Sequence, residues 1–159
     1  MLFRSGTVVR EKSLAKGLIA GLIAGLIATA AKTFAERMFP PHTHGEPEPE
    51  ELLAERVAGH ELTPAAKTAA TEAIQWGFGA TVGAAYGAVA EYYPAATARE
   101  GASFGLALGT LVHEGALPAL GLAAEPVDQT FRERSSEMTS HVVYGVVAEF
   151  VRSVVRRFL

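Results

Sequence analysis

The sequence predicts an all-α fold, a four-helix transmembrane bundle packed through glycine-zipper stripes. Three observations lead there: four apolar stretches separated by polar, proline-marked connections; small residues recurring every fourth position inside those stretches; and lysine and arginine gathered at both ends of the chain around an acidic connection. The 159 residues suit one membrane domain and are too few for two ordinary ones. Apolar residues make up 49% and charged residues only 19%, against about 25% charged in a typical soluble domain. The mean hydropathy of +0.20 lies between a soluble bundle and a membrane protein. Distribution therefore decides, and a soluble helical bundle stays as the alternative fold class.

The first helix is expected over about 14–39, on the run LAKGLIAGLIAGLIATAA and its continuation through Phe34 and Met38. A spanning helix needs about 20 mainly apolar residues. Arg4, Arg10, Lys12 and Lys16 precede the apolar core of this run and Ala28-Thr29-Ala30 resembles a small-residue cleavage site, so a cleaved signal peptide is the alternative. The continuation as helix favours an uncleaved span. Pro40-Pro41 stops it, because proline has no N–H to donate and clashes with the preceding turn.

An acidic, proline-rich external loop follows over about 40–64. Glu46-Pro47-Glu48-Pro49-Glu50 reads as an extended spacer, and Glu51 to His60 as a short amphipathic helix through Leu52, Leu53 and Val57. Pro64 opens the second long helix, about 65–92, and Pro94 closes it. The third is expected over about 101–124, kinked at Pro118. Pro126 marks the next loop, and the fourth helix covers about 137–157, ending in a basic tail. Positive charge near membrane ends is retained in the cytoplasm. Arg152, Arg156 and Arg157 match the basic amino end, so both termini are placed in the cytoplasm of a bacterial inner membrane.

Gly17, Gly21 and Gly25 share one spacing, as do Gly79, Gly83 and Gly87, and again Gly101, Gly105 and Gly109; Gly145 is the only member in the last helix. Glycine costs about 1 kcal/mol against alanine in a water-exposed helix, so this usage needs a return. In lipid, small residues at every fourth position let helix backbones approach and gain dispersion contacts. Nine of the 16 glycines fall in the first three rows, too many for chance. Whether the rows meet within one chain or between copies is not set by spacing.

Each row extends to polar side chains. Glu36, Glu72, Gln75, His113, Glu114, Glu137 and His141 form the candidate cluster, converging on the outer half of the bundle. Ionisable groups in membrane helices face the bundle interior or a watery cavity. Three readings stay open: structural hydrogen bonding between helices, proton or cation handling with His113 or His141 titrating near neutrality, and a divalent-metal site. Glu137 and His141 at i, i+4, with His113, are the metal candidates, and His42-Thr43-His44 is a weaker one. No other cofactor is expected.

Several classes are excluded by what the chain lacks. A net charge of −3 without a basic, aromatic-studded patch argues against nucleic acid. The absence of cysteine removes disulfides, thiolate metal sites and thiol catalysis. His113-Glu114 is followed by Gly115 and not by a second histidine, and neither a nucleophile elbow nor a phosphate loop is present, so no enzyme is expected.

Several of these residues together resemble the YagU-like family of uncharacterised bacterial inner-membrane proteins. The resemblance lies in the glycine-rich opening helix with Lys32, Glu36 and Pro40-Pro41, in Tyr86-Gly87, in His113 through Pro118-Ala119-Leu120-Gly121-Leu122, and in Ser136-Glu137, His141 and Tyr144-Gly145. It implies a multi-pass membrane location and a role of acid-tolerance type, with Glu36, His113, Glu137 and His141 as the positions to watch. The compressed first loop departs from the family pattern. The functional expectation is a proton- or cation-responsive membrane protein in contact with the lipid bilayer. The alternative is an assembly module whose glycine faces join it to copies of itself or to another membrane protein.

Overall fold

The computed structural model describes residues 11–41, 47–125 and 127–159. Arg4, Arg10, His42, His44, Glu46 and Pro126 lie outside the described residues. Every regular element among the described residues is helical. Helix α1, Leu14–Met38, starts where the Ser13 hydroxyl accepts the Lys16 N–H, and it ends just before Pro40. Helix α3, Pro64–Tyr92, has proline at its first position and Thr63 as its cap, accepting from Ala66 N–H. Proline suits that position because its fixed φ is helical and its missing N–H would have no partner there.

The acidic connection is more ordered than its composition suggests. Pro49 is not part of a spacer; it opens helix α2, Pro49–Ala58, for the same first-turn reason, and Gly59 closes it at φ 73. The face of α2 turned to α3 carries Ala54 and Leu53, while Val57 is 79% exposed, so the apolar stripe is narrower than expected.

The third segment differs most from expectation. A short 3-10 segment, Pro94–Gly101, leads into α4, Ala102–Leu111, with Arg99 and Glu100 at φ 53 and 56 and Gly101 at φ 84. A π turn follows at Val112–Ala116, then one last α turn, α5, Leu117–Ala119. Pro118 explains the π turn: a regular helix would press its ring on the carbonyl of residue 114, and the wider turn passes the Leu117 N–H to the Val112 carbonyl instead. The segment ends near residue 120 and not 124. Gly121, at φ 64, donates to Pro118 O and Leu122 donates to Leu117 O, a pairing that closes helices. Helix α6 is longer than expected, Phe131–Phe158, because Thr130 and Glu133 form a reciprocal capping box ahead of it.

Helix α1 packs between α3 and α6, α4 packs on α6, and α2 packs on α3. The glycine rows meet each other inside the chain. A Cβ built on Gly17 would lie 2.8 Å from Gly87 O, one on Gly25 2.9 Å from Gly83 Cα, and one on Gly87 2.7 Å from Gly21 Cα. Gly79 faces the Thr29 side chain. In the other pair, Gly101 and Gly105 face Gly145 and the His141 backbone, and Gly109 faces the His141 and Met138 side chains. Tyr86 of α3 stacks on Phe104 of α4 at 4.1 Å and closes the ring of helices.

The distribution of side chains is inverted relative to a soluble bundle. The interior is mostly small or polar: Ala20, Ala24, Ala28 and Ala148 at 0% exposure, with Thr29, Ser140, His141, Arg152 and Arg156 also buried, and Leu122, Tyr86 and Tyr144 the larger side chains among them. Leu18, Ile19, Leu22, Leu26 and Ile27 of α1 face outwards, as do Phe78 and Val89 of α3, Leu106 and Leu111 of α4 and Phe150 of α6. Among the described helices only α1 has both the length and the mean hydropathy (1.9) of a membrane span. The unbroken apolar part of α4 is short, and α6 carries charged residues along its length, so composition marks one span and not four.

Candidate functional site

The expected cluster forms at the end of the bundle that holds α2. Four of its members come together there with two residues that the spacing argument did not single out. Glu36 of α1 takes the ammonium of Lys32, one turn earlier, and also accepts from Ser140 Oγ at 3.2 Å. The single Ser140 proton is shared with the Glu137 carbonyl at 2.8 Å in its own helix, and its contact with Glu36 ties α1 to α6. His113 Nδ1 pairs with the Glu137 carboxylate, and His141 Nδ1 donates to the Glu137 carbonyl at 3.0 Å. The two imidazoles meet edge to face at 4.7 Å. The result is a chain of contacts, Lys32–Glu36–Ser140–Glu137–His113–His141, across α1, α6 and the π turn.

The π turn is what aims His113. It follows Gly109, whose missing side chain lets α4 close on α6, and it carries His113 towards Glu137. Lys32 was recoverable from sequence, since a lysine four residues before a glutamate is a standard helical pair. Ser140 had no signal beyond its place beside His141.

Three other candidates stand apart from this chain. Gln75 is nearest, donating to Thr33 Oγ1 at 3.2 Å. Glu72 is exposed and accepts from Trp76 Nε1 at 2.8 Å. Glu114 points away from its neighbour His113 and pairs with Arg134 Nε at 2.5 Å. Among the described residues no group of three or more His, Asp or Glu side chains is arranged to hold a metal ion.

The opposite end of the bundle carries a second polar network, which the site reading missed because its arginines looked like a basic tail. Arg156 Nε donates to Glu91 at 2.9 Å, with both side chains nearly buried, and Glu91 also accepts the Ser13 N–H at 2.9 Å. One turn inwards, Arg152 forks onto Glu149 through two 2.7 Å bonds, and Glu149 accepts from Tyr86 Oη at 2.7 Å. The spacing of three between Glu149 and Arg152 was the available signal. Tyr144 sits between the two networks and donates to Gly79 O at 2.6 Å.

Fold and site together define an all-helical protein with a small-residue interior and a buried Glu–His cluster. The chain belongs to the family DUF1440, described as a protein of unknown function, which matches residues 26–150. That match places it in an uncharacterised family, a coarser statement than the YagU-like resemblance. No curated protein and no solved structure matches the chain.

Proposed function

We propose that this is a multi-pass helical membrane protein whose Lys32–Glu36–Glu137–His113–His141 cluster takes up and releases protons or holds a cation. The observation that carries the membrane part is the inverted packing. In water a bundle buries its leucines and exposes its polar groups; here glycine, alanine, serine and arginine fill most of the interior, Leu122 and Phe104 being exceptions, and many of the leucines, isoleucines and phenylalanines face out. Exposed aromatics bracket the apolar surface of α3, Trp76 at one end and Tyr92 and Tyr93 at the other. At 1.5 Å per residue they are about 25 Å apart, close to the hydrocarbon thickness that aromatic belts flank. The charges of α6 do not count against a span in this reading, because Glu137, His141, Arg152 and Arg156 point inwards.

In this reading both termini lie in the cytoplasm of a bacterial inner membrane and α2 lies outside, with no catalytic step. The glycine rows face each other within the chain, which supports packing inside one chain over the assembly reading. The test replaces Glu137 and His141 together by Gln and follows the reconstituted protein's thermal stability from pH 5 to 8. The wild type is expected to change over that interval and the double variant to lose most of the change. Identical profiles for the two proteins would count against proton handling by this cluster.

A further inference from the structure

Beside the cluster lies a cavity of about 240 Å³, covered by Pro49 and Leu53 of α2 and walled by Ile74, Phe78, Leu108 and Leu117. It is larger than the roughly 150 Å³ apolar cavity that accepts benzene in an engineered protein. His141 and Tyr144 also reach it, each 2% exposed. A carbonyl oxygen can only accept, so the His141 contact with the Glu137 carbonyl puts the ring proton on Nδ1. In the neutral ring Nε2 is then an acceptor, and it has no hydrogen-bond partner among the described residues. The one cation on the cavity wall, Lys32, is already matched by Glu36.

We propose that this cavity binds a compact, neutral molecule with an apolar ring and one hydroxyl, a monocyclic phenol in chemical class. The ring lies between Phe78, Leu108 and Leu53, and the hydroxyl donates to His141 Nε2. Apolar walls with few converging polar groups are the usual form of a small-molecule site. A carboxylate ligand would sit beside Glu50 with the wall's lysine already matched, and a charged ligand of either sign would leave water for a largely apolar pocket. An acceptor left bare in an apolar cavity favours a ligand that donates to it, because an unmade bond there forfeits the desolvation cost. The site shares His141 with the proposed proton-handling cluster and accepts the hydroxyl while that imidazole is neutral, so the titrations are run at pH 8.

The experiment titrates the purified full-length protein in nanodiscs with 4-propylphenol and, separately, with propylbenzene. The phenol is expected to saturate and to bind roughly three- to tenfold more tightly, as one hydrogen bond implies. His141→Leu should erase that preference while leaving propylbenzene binding in place. Leu53→Trp, on the cover, should fill the space and weaken both ligands at least tenfold, with the helical circular dichroism unchanged. Equal affinity for the two ligands on the wild type, no saturable binding of either, or undiminished binding by the Leu53→Trp variant would overturn the proposal. The comparison of ligands on the wild type and the Leu53→Trp result decide the matter even if His141→Leu fails to fold. None of these readouts bears on the pH profile of the Glu137 and His141 double variant.

Discussion

Gly83 and Gly77 stand in the same helix and have opposite surroundings. A Cβ on Gly83 would lie 2.5 Å from Gly21 O and 2.7 Å from Gly25 N, both backbone atoms, whereas one on Gly77 meets nothing within 4 Å. Gly83→Ala is therefore expected to cost about 1–3 kcal/mol through forced separation of α1 and α3. Gly77→Ala should raise stability by about 1 kcal/mol or less through helix propensity alone. Thermal unfolding in detergent followed by circular dichroism checks both signs. The Arg156–Glu91 pair gives a second residue-scale expectation. Removing only the arginine leaves a nearly buried carboxylate short of its partner, so Arg156→Met should destabilise by on the order of 3 kcal/mol. The double change Glu91→Leu with Arg156→Met should cost less than the single one in the same melt. If it costs more, the carboxylate left without its arginine is not the source of the loss and this account of the pair fails.

At the scale of elements, α2 is held to α3 by Lys67, which bonds Glu51 at 2.6 Å and Glu55 at 2.9 Å, and to the end of α5 by Arg56 donating to Leu120 O at 2.6 Å. The hydrogen bond from Lys67 holds the Glu55 carboxyl below its usual range. A depressed carboxylate adds stability above its unfolded value and loses it as the pH falls through the folded one. The contact between α2 and α3 is thus expected to be intact at neutral pH and to loosen below the ordinary carboxylate range. Since the chain has no cysteine, a spin label placed by Val57→Cys reports on α2 alone. Its mobility should rise on acidification, and Lys67→Gln should raise it already at pH 7; a mobility indifferent to both would refute the latch. Helix starts were legible in sequence wherever a proline and a capping residue coincide, as at Thr63-Pro64. Those at Pro49 and Phe131 were not, because a glutamate-proline run looks extended by composition and a capping box hides within a polar loop.

For the whole molecule, the decisive physical property is where the apolar surface points. Alkaline carbonate washing of membranes from expressing cells is expected to leave the protein in the pellet; release into the supernatant would overturn the membrane reading. Much of the architecture could be read in advance from glycine spacing, because rows of small residues have few uses other than close helix contact. Gly17, Gly21 and Gly25 meeting Gly79, Gly83 and Gly87 is the clearest instance. Spacing could not say which row pairs with which, and it could not foresee that Glu72 and Glu114 find local partners, Trp76 and Arg134, outside the cluster. A face on a helix gives direction only to within a turn, and a long side chain chooses its partner inside that range.

The π turn at Val112–Ala116 has a consequence for chain length. It holds one residue more than a regular turn, and a helix rotates by about 100° per residue. A chain shortened by one residue in this stretch, with Pro118 replaced as well, could run straight through, but Leu117 and Leu120 would then swing round to another side of the bundle. Gly101, Gly105 and Gly109, before the turn, would keep their contacts with α6. Single-residue changes in length here thus rephase one half of a helix against the other, and they act on the cavity wall without disturbing the glycine contacts.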